Sequence, residues 1–362
     1  MNQLLSITNH FQLVGTVKEI TPFGEGMINS TYRVKLKDAQ EEYVLQKINH
    51  EIFQDVDLLQ NNIKRITDHI RHKLTEAGET DIDRKTLTII PTLDGKLYYF
   101  DGKSYWRITV LISNSKTFEA VTPEYAYYAG QAFGNFQSML ADLPGEPLGE
   151  TIPNFHNMEN RLESFRLAVK NNIAGRLDGV KDLVDEVEKR AYEMCQCERL
   201  YREGKLPKRI NHCDTKVNNM LFDDSGKVLC VIDLDTAMPG FVMSDYGDFM
   251  RTAGNTGKED DQNLDNVSFN MDIFRSYTKG YLESAKKFLT PLEIKLLPFG
   301  ARLLTYMQLS RFLADYLNGD TYYKINGPLH NLQRSKAQFK LLQSIEAHYK
   351  EMEEFISSLT EK

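Results

Sequence analysis

The stretch Ile210-Asn211-His212-Cys213-Asp214-Thr215-Lys216-Val217-Asn218-Asn219-Met220-Leu221-Phe222, followed by Val231-Ile232-Asp233-Leu234-Asp235-Thr236, decides how this chain of 362 residues is read. Two short hydrophobic runs, Met220 to Phe222 and Val228 to Ile232, flank the turn-forming Asp223-Asp224-Ser225-Gly226, a pattern that predicts an antiparallel hairpin. Asp214 falls in the loop before the first strand and Asp233 at the end of the second. A hairpin returns its far end to its near end, so the loop and Asp233 are expected to be close. If the strand continues through Asp235, that residue shares a face with Asp233.

Outward from this centre the two flanks differ in character. Upstream, Phe11 to Ile20, Asn29 to Leu36 and Tyr43 to Ile48 read as strands, with a glycine turn at Pro22-Phe23-Gly24-Glu25-Gly26. Val56, Leu59, Ile63, Ile66 and Ile70 form one apolar stripe, which predicts a helix over 54–74 with Asp55 or Asp57 as its cap. Further strands fit 86–90, 97–101 and 105–112, the last two joined at Asp101-Gly102. The polar Ser113-Asn114-Ser115 marks a linker, and beyond it the pattern is helical. Thr122-Pro123 opens a helix to about Leu140. Others fit 157–172, 181–202 and 271–288. Thr290-Pro291-Leu292-Glu293 is a capping box opening a helix past Phe312, and a last helix covers 329–357. The expected fold is α+β, with a small antiparallel sheet at 1–112, a linker at 113–121 and a larger helical part at 122–362.

Composition narrows the partners. The formal charge of −7, from 44 basic and 51 acidic residues, gives no support for nucleic-acid binding. No window approaches the ~20 apolar residues that cross a bilayer, and MNQLLSITNHF does not read as a secretory signal. A cytoplasmic protein is expected, with no membrane partner. The four cysteines show no metal spacing. No extended heptad suggests a coiled coil, and the expectation is a monomer or weak homodimer.

Phosphoryl transfer needs few protein parts: a carboxylate that orients a hydroxyl and takes its proton, hard oxygen ligands for Mg²⁺, and a cation near the phosphates. Asp214, Asn219 and Asp233 supply the first two. A lone Asp would read as a surface loop residue; the combined spacing beside hydrophobic strands reads as a site. Gly24-Glu25-Gly26 either lets backbone amides approach phosphates or forms a simple turn. Tyr43, Leu45 and Lys47 share one strand face, so an otherwise apolar face carries a single cation, unless Lys47 simply reaches solvent.

His212-x-Asp214-x-x-x-x-Asn219 with Ile232-Asp233 resembles the catalytic and metal-binding loops of the aminoglycoside/choline phosphotransferase family, relatives of the protein kinases. Within it, the fuller stretches His212 to Asn219 and Ile232 to Gly240, together with Ser244-Asp245-Tyr246-Gly247-Asp248-Phe249-Met250-Arg251, are similar to the N-acetylhexosamine 1-kinases. The resemblance runs over nearly the whole chain and is weakest over 75–105 and 145–205. It implies a two-lobed protein-kinase-like fold, ATP as co-substrate, Mg²⁺, and phosphorylation of a sugar's anomeric hydroxyl. Other small alcohols, such as choline, homoserine or an aminoglycoside, are the rival acceptors, and a non-catalytic pseudokinase is the other alternative.

Carried over by position, Asp214 is the base, Asn219 and Asp233 bind Mg²⁺, and Asp235 is a second metal or substrate contact. Lys216 is either near the transferred phosphate or an exposed lysine without a role. Gly24, Gly26, Asn29 and Lys47 would serve the nucleotide. Asn29 stands where the protein-kinase pattern has a third glycine, so Asn29 or Ser30 would donate side-chain hydrogen bonds instead. Arg251, Arg311 and Tyr316 are the candidates for the sugar pocket, while His212, Asp245 and Asp248 would brace the loop.

Overall fold

A computed structural model describes residues 2–24, 28–118 and 121–360. The chain divides into two compact units: Met1–Thr117 with Asp142–Pro153 and Met220–Met238, and Phe118–Ala141 with Asn154–Asn219 and Pro239–Lys362. The chain first leaves the first unit between residues 117 and 118. The first unit, however, also takes in two later segments, one of which is the hairpin.

The first unit opens with a short helix, α1 (Asn2–Thr8), where no helix is expected from the residues alone. Strands β1 (Val17–Pro22), β2 (Ser30–Leu36) and β3 (Glu42–Ile48) form an antiparallel meander. The short β4 (Ile89–Ile90) and β5 (Tyr99–Phe100) both pair with β6 (Tyr105–Val110), and the sheet order is β1-β2-β3-β6-β4. The first strand thus lies later than the expected 11–20. Phe11 makes only a single bridge to Thr92 and serves the core instead. One sheet face buries Val34, Leu36, Tyr43, Leu45, Trp106 and Ile108 together with Ile7 and Phe11.

Helix α2 (Val56–Glu76) starts at Asp55, whose carboxylate accepts the Leu58 N–H at 2.8 Å. Its expected apolar stripe is buried, and Asn62 joins that face. The Asn62 amide donates to the carbonyls of Gly149 (2.9 Å) and Ala237 (3.3 Å), tying α2 to both late segments of the unit. After β7 (Arg209–Asn211) of the second unit, the chain re-enters the first as the hairpin β8 (Met220–Phe222) and β9 (Val228–Val231), with Met220 opposite Val231.

The second unit is helical. Helix α3 (Pro123–Leu140) is capped by Thr122 with proline in its first turn, as the dipeptide predicts. Helices α4 (Met158–Asn171), α5 (Lys181–Met194) and α6 (Gln196–Arg202) follow, so the expected helix over 181–202 is broken at Cys195. Beyond α7 (Val242–Ala253) come α8 (Met271–Ala285), α9 (Pro291–Lys295), α10 (Leu297–Leu317) and α11 (His330–Thr360). The capping box at Thr290 is formed. The helix that it opens is interrupted at Leu296.

Helices α3 and α8 cross with almost no side chain between them. A Cβ on Gly130 would sit 2.2 Å from the Tyr277 carbonyl oxygen, and one on Gly280 would sit 2.0 Å from that of Tyr127. This close crossing fixes the base on which the loop at 211–219 rests. Among the described residues no helix is long and apolar enough to cross a membrane.

Candidate active site

In the second unit the loop leaving β7 is shaped by buried partners. Asp245, near the start of α7, has no exposure. Its Oδ2 accepts the His212 N–H at 2.8 Å and the Gln137 amide at 2.9 Å, and its Oδ1 accepts the Cys213 N–H at 2.7 Å. Burial pushes this carboxyl up to about 6, against the pull of His212 and of the N–H groups that it accepts. Thr215 donates its hydroxyl to the Asp245 carbonyl (2.6 Å) and its N–H to Asp248 (3.2 Å). Cys213 takes a positive φ of 62°, a conformation that a non-glycine residue holds only where its surroundings enforce it. His212 is buried edge-on to Phe133 and Phe136, at 5.9 and 6.0 Å, and its Nδ1 accepts the Asp214 N–H at 3.3 Å.

These restraints set Asp214 at the loop's open side, with 26% of its side chain exposed. Asn219 donates its amide to the Asp214 carbonyl (2.8 Å) and Oδ2 (3.1 Å), and Lys216 Nζ lies 2.9 Å from the same Oδ2. One carboxylate oxygen therefore carries two donors that fix its direction. Asp248 accepts from Arg251 at 3.0 and 2.9 Å, and Arg251 also reaches Glu259 at 2.8 Å. The Arg251 guanidinium is thus largely occupied within the protein. Tyr316 is buried under the Arg176 guanidinium, 4.6 Å from its ring centroid. Arg311 is half-buried among Phe155, Tyr322 and Tyr323.

In the first unit the hairpin carries Asp233 two residues beyond Val231. The strand does not continue to Asp235. Asp233 turns to a φ of 60°, and the chain enters a short 3₁₀ turn at Leu234–Thr236. The shared face expected for the two carboxylates is therefore lost: Asp233 is exposed and Asp235 is buried. Asp235 is held within the unit by Arg107, by the Asn29 amide (2.6 Å) and, at its carbonyl, by the Thr151 hydroxyl (2.7 Å). Arg107 Nε also donates to Gln46 at 2.9 Å.

The buried cation of the sheet face that carries Gln46 is thus Arg107. Lys47 lies on the alternate face, with Tyr43 and Leu45. Asn29 spends its amide on Asp235 and accepts the Asn49 N–H at 2.9 Å. Gly24 has a φ of 72°, as a glycine turn requires, and Gly26 lies outside the described residues. Sequence reasoning missed Arg107. A charged residue between Trp106 and Ile108 in an apolar strand was the available signal.

Among the described residues no group of three or more His, Cys, Asp or Glu side chains is set to hold a metal by itself. Mg²⁺ commonly takes only one or two protein oxygens and completes its shell with phosphate and water. Asn219 turns its amide nitrogen toward Asp214, which presents its oxygen to a different partner, and Asp233 is an exposed carboxylate on a positive-φ turn. Each of these side chains by itself offers a hard oxygen of the kind that Mg²⁺ takes, whereas Asp235 is engaged by Arg107 and Asn29.

Comparison with solved structures places this fold. An aminoglycoside phosphotransferase from Alicyclobacillus acidocaldarius superposes with a TM-score of 0.63 at 12% identity, covering 98% of this chain and 96% of that one. A spectinomycin phosphotransferase in complex with ADP and spectinomycin gives 0.57 at 12% identity, covering 96% and 98%. Plasmodium vivax ethanolamine kinase gives 0.53 at 16% identity, covering 89% and 82%. The antiparallel-sheet unit and the helical unit are those of the kinase-like α+β fold. The profile of the phosphotransferase enzyme family, APH, matches residues 89–278, more than half of the chain. This protein belongs to the phosphotransferase enzyme family.

Proposed function

We propose that this phosphotransferase moves a phosphoryl group from a Mg-nucleotide to the anomeric hydroxyl of an N-acetylhexosamine, giving the sugar 1-phosphate. The observation that carries the reading is the Asp214 carboxylate, partly exposed and steered through one oxygen by Asn219 and Lys216. Asp214 orients the acceptor hydroxyl and takes its proton as the new O–P bond forms. Lys216 is within reach of the same reacting centre and offsets negative charge that develops there. Asn219 in the second unit and Asp233 in the first are each assigned to Mg²⁺, which would supply charge neutralisation at the nucleotide phosphates. The ADP bound to the spectinomycin phosphotransferase supports an adenine nucleotide as donor. Gly24 serves the nucleotide through its turn, and Lys47 on β3 is the cation assigned to it, since Arg107 is held by Asp235 and Gln46.

A cationic acceptor such as choline, ethanolamine or an aminoglycoside would favour an acidic or aromatic wall. In the second unit Arg161 and Arg311 pair with no carboxylate among the described residues, and two such cations oppose a cationic acceptor. This favours a sugar. The pseudokinase reading expects loss of the base or of a metal ligand, and Asp214, Asn219 and Asp233 are all present.

The test is nucleotide consumption with Mg-ATP across N-acetylglucosamine, N-acetylgalactosamine, choline, ethanolamine, homoserine and aminoglycosides. Turnover with an N-acetylhexosamine is expected. Turnover with choline or ethanolamine but no sugar rejects the sugar, and no turnover with any alcohol rejects the kinase.

A further inference from the structure

Most arginines of the second unit with limited exposure face carboxylates. Arg176 pairs with Asp320, Arg190 with Glu186 and Glu346, Arg209 with Glu293, and Arg302 with Glu193. Arg161 and Arg311 depart from this pattern. Arg161 gives Nε and Nη2 to the Phe155 carbonyl, at 2.9 and 2.7 Å. Arg311 gives Nη1 to Gln308 at 3.1 Å. Both guanidinium carbons lie over the same Phe155 ring, 5.8 and 5.4 Å from its centroid, and Arg311 also lies 5.6 Å from the Tyr323 ring.

Two cations around one phenyl ring repel each other in a poorly solvated place. Arg161 is held down at about 10, first by burial and then by Arg311. His156 stacks on Phe155 at 4.5 Å, and its Nδ1 is buried without a hydrogen-bond partner. Burial keeps this imidazole neutral, pushed to about 3. Arg311, Arg161 and Arg251 act in the same direction, and Asp248 opposes them.

This cluster has a neighbour in common with the catalytic loop. Asp248 accepts from Thr215 in the loop, and its charge acts on both His156 and Lys216. An oxyanion bound between Arg161 and Arg311 would relieve their repulsion and receive bidentate charge-assisted hydrogen bonds. A neutral hydroxyl at His156 Nδ1 would satisfy the orphaned nitrogen.

We propose that Arg161 and Arg311 form an oxyanion subsite, and that the sugar accepted by this enzyme carries a carboxylate, sulfate or phosphate away from its anomeric carbon. The inference rests on the sugar-kinase reading and narrows its substrate class. It is tested by calorimetric binding to the full chain without nucleotide. The ligands are N-acetylglucosamine and N-acetylgalactosamine, their C6 uronic acids, 6-sulfates and 6-phosphates, and their 1-phosphates.

At least one C6 anion is expected to bind ten-fold or more tightly than its neutral parent. Raising the ionic strength should shrink that advantage. Arg161→Gln and Arg311→Gln should each reduce it, and Arg161→Lys or Arg311→Lys should restore part of it, with unfolding midpoints verifying that each variant is folded. Equal binding of neutral and anionic sugars overturns the proposal. So does a gain confined to the 1-phosphates, an advantage that survives in both Gln variants, or no binding by any sugar. These outcomes are separate from the kinase reading, which fails only on turnover: an enzyme that phosphorylates neutral N-acetylhexosamines best keeps its function and loses this subsite.

Discussion

Replacing Asp245 by Asn tests how the loop around Asp214 is held. The side chain keeps its shape, but one acceptor oxygen becomes an NH₂ donor. With that nitrogen at Oδ1 it faces the Cys213 N–H; at Oδ2 it faces both His212 N–H and the Gln137 amide. The first orientation loses fewer bonds, so the variant gives up one charge-assisted hydrogen bond worth about 1.5–3 kcal/mol and weakens two others. If that restraint is what sets Asp214, kcat falls about 10- to 100-fold, at about 1.4 kcal/mol per decade.

Global stability has a compensating term. A carboxyl moved from 3.8 to about 6 disfavours the ionised fold by about 3 kcal/mol at neutral pH, and Asn removes that penalty. The sign follows from proton linkage. A raised folded value gives stability that is full below about pH 4 and lost as pH rises through about 6. The variant should therefore lack this component of the pH dependence. Urea unfolding at several pH values between 4 and 7 and steady-state kinetics at neutral pH are the assays. Unchanged kcat would refute the bracing argument. A wild-type minus variant stability difference that does not fall between pH 4 and 6 would refute the buried-carboxylate argument.

The remaining predictions concern the other parts of the same machinery. Asp214→Asn should lower turnover by at least about 100-fold while nucleotide affinity, measured by calorimetry, stays near wild type, because the proton acceptor does not hold the nucleotide; near-normal turnover would remove Asp214 from the mechanism. Asp233→Asn, which keeps a residue tolerant of the left-handed backbone there, should weaken the Mg²⁺ dependence of nucleotide binding and rate together with little change in folding, and superimposable Mg²⁺ titrations would reject its metal role. Asp235→Ala should instead destabilise the protein by about 3–5 kcal/mol, because Arg107 would be left as an uncompensated buried charge; an unchanged urea midpoint would contradict that pairing. Gly280→Ala should cost about 3 kcal/mol or abolish folded expression, since its Cβ would lie 2.0 Å from the Tyr127 oxygen.

Local chemistry made much of the fold legible. Thr122-Pro123, Asn157 and the Thr290 box cap helices where their side chains can reach an unpaired N–H, and each signal is contained in a few residues. The stripe from Val56 to Ile70 was readable because only one face of α2 is buried. Helix α7 was less legible. Nine of its residues, from Val242 to Met250, are buried and include Ser244, Asp245 and Asp248, so its core positions look polar in the sequence.

Strand alternation places the carboxylates at 233 and 235 on one face only if the strand continues, and the left-handed turn at Asp233 breaks that alternation. Arg107 escaped notice because its partners, Gln46, Asp235 and through it Asn29, are distant in the chain. Arg161 was missed for a related reason: what marks it is the carboxylate that it lacks, which no stretch of sequence displays.

The most direct test of the central claim is phosphorus NMR of the full chain incubated with Mg-ATP and N-acetylhexosamines bearing ¹⁸O at the anomeric hydroxyl. The account predicts a sugar 1-phosphate whose resonance carries the bridging-¹⁸O isotope shift, because the acceptor oxygen that loses its proton to Asp214 becomes the ester oxygen. A phosphate ester at another hydroxyl, or intact ATP with every sugar supplied, would contradict it.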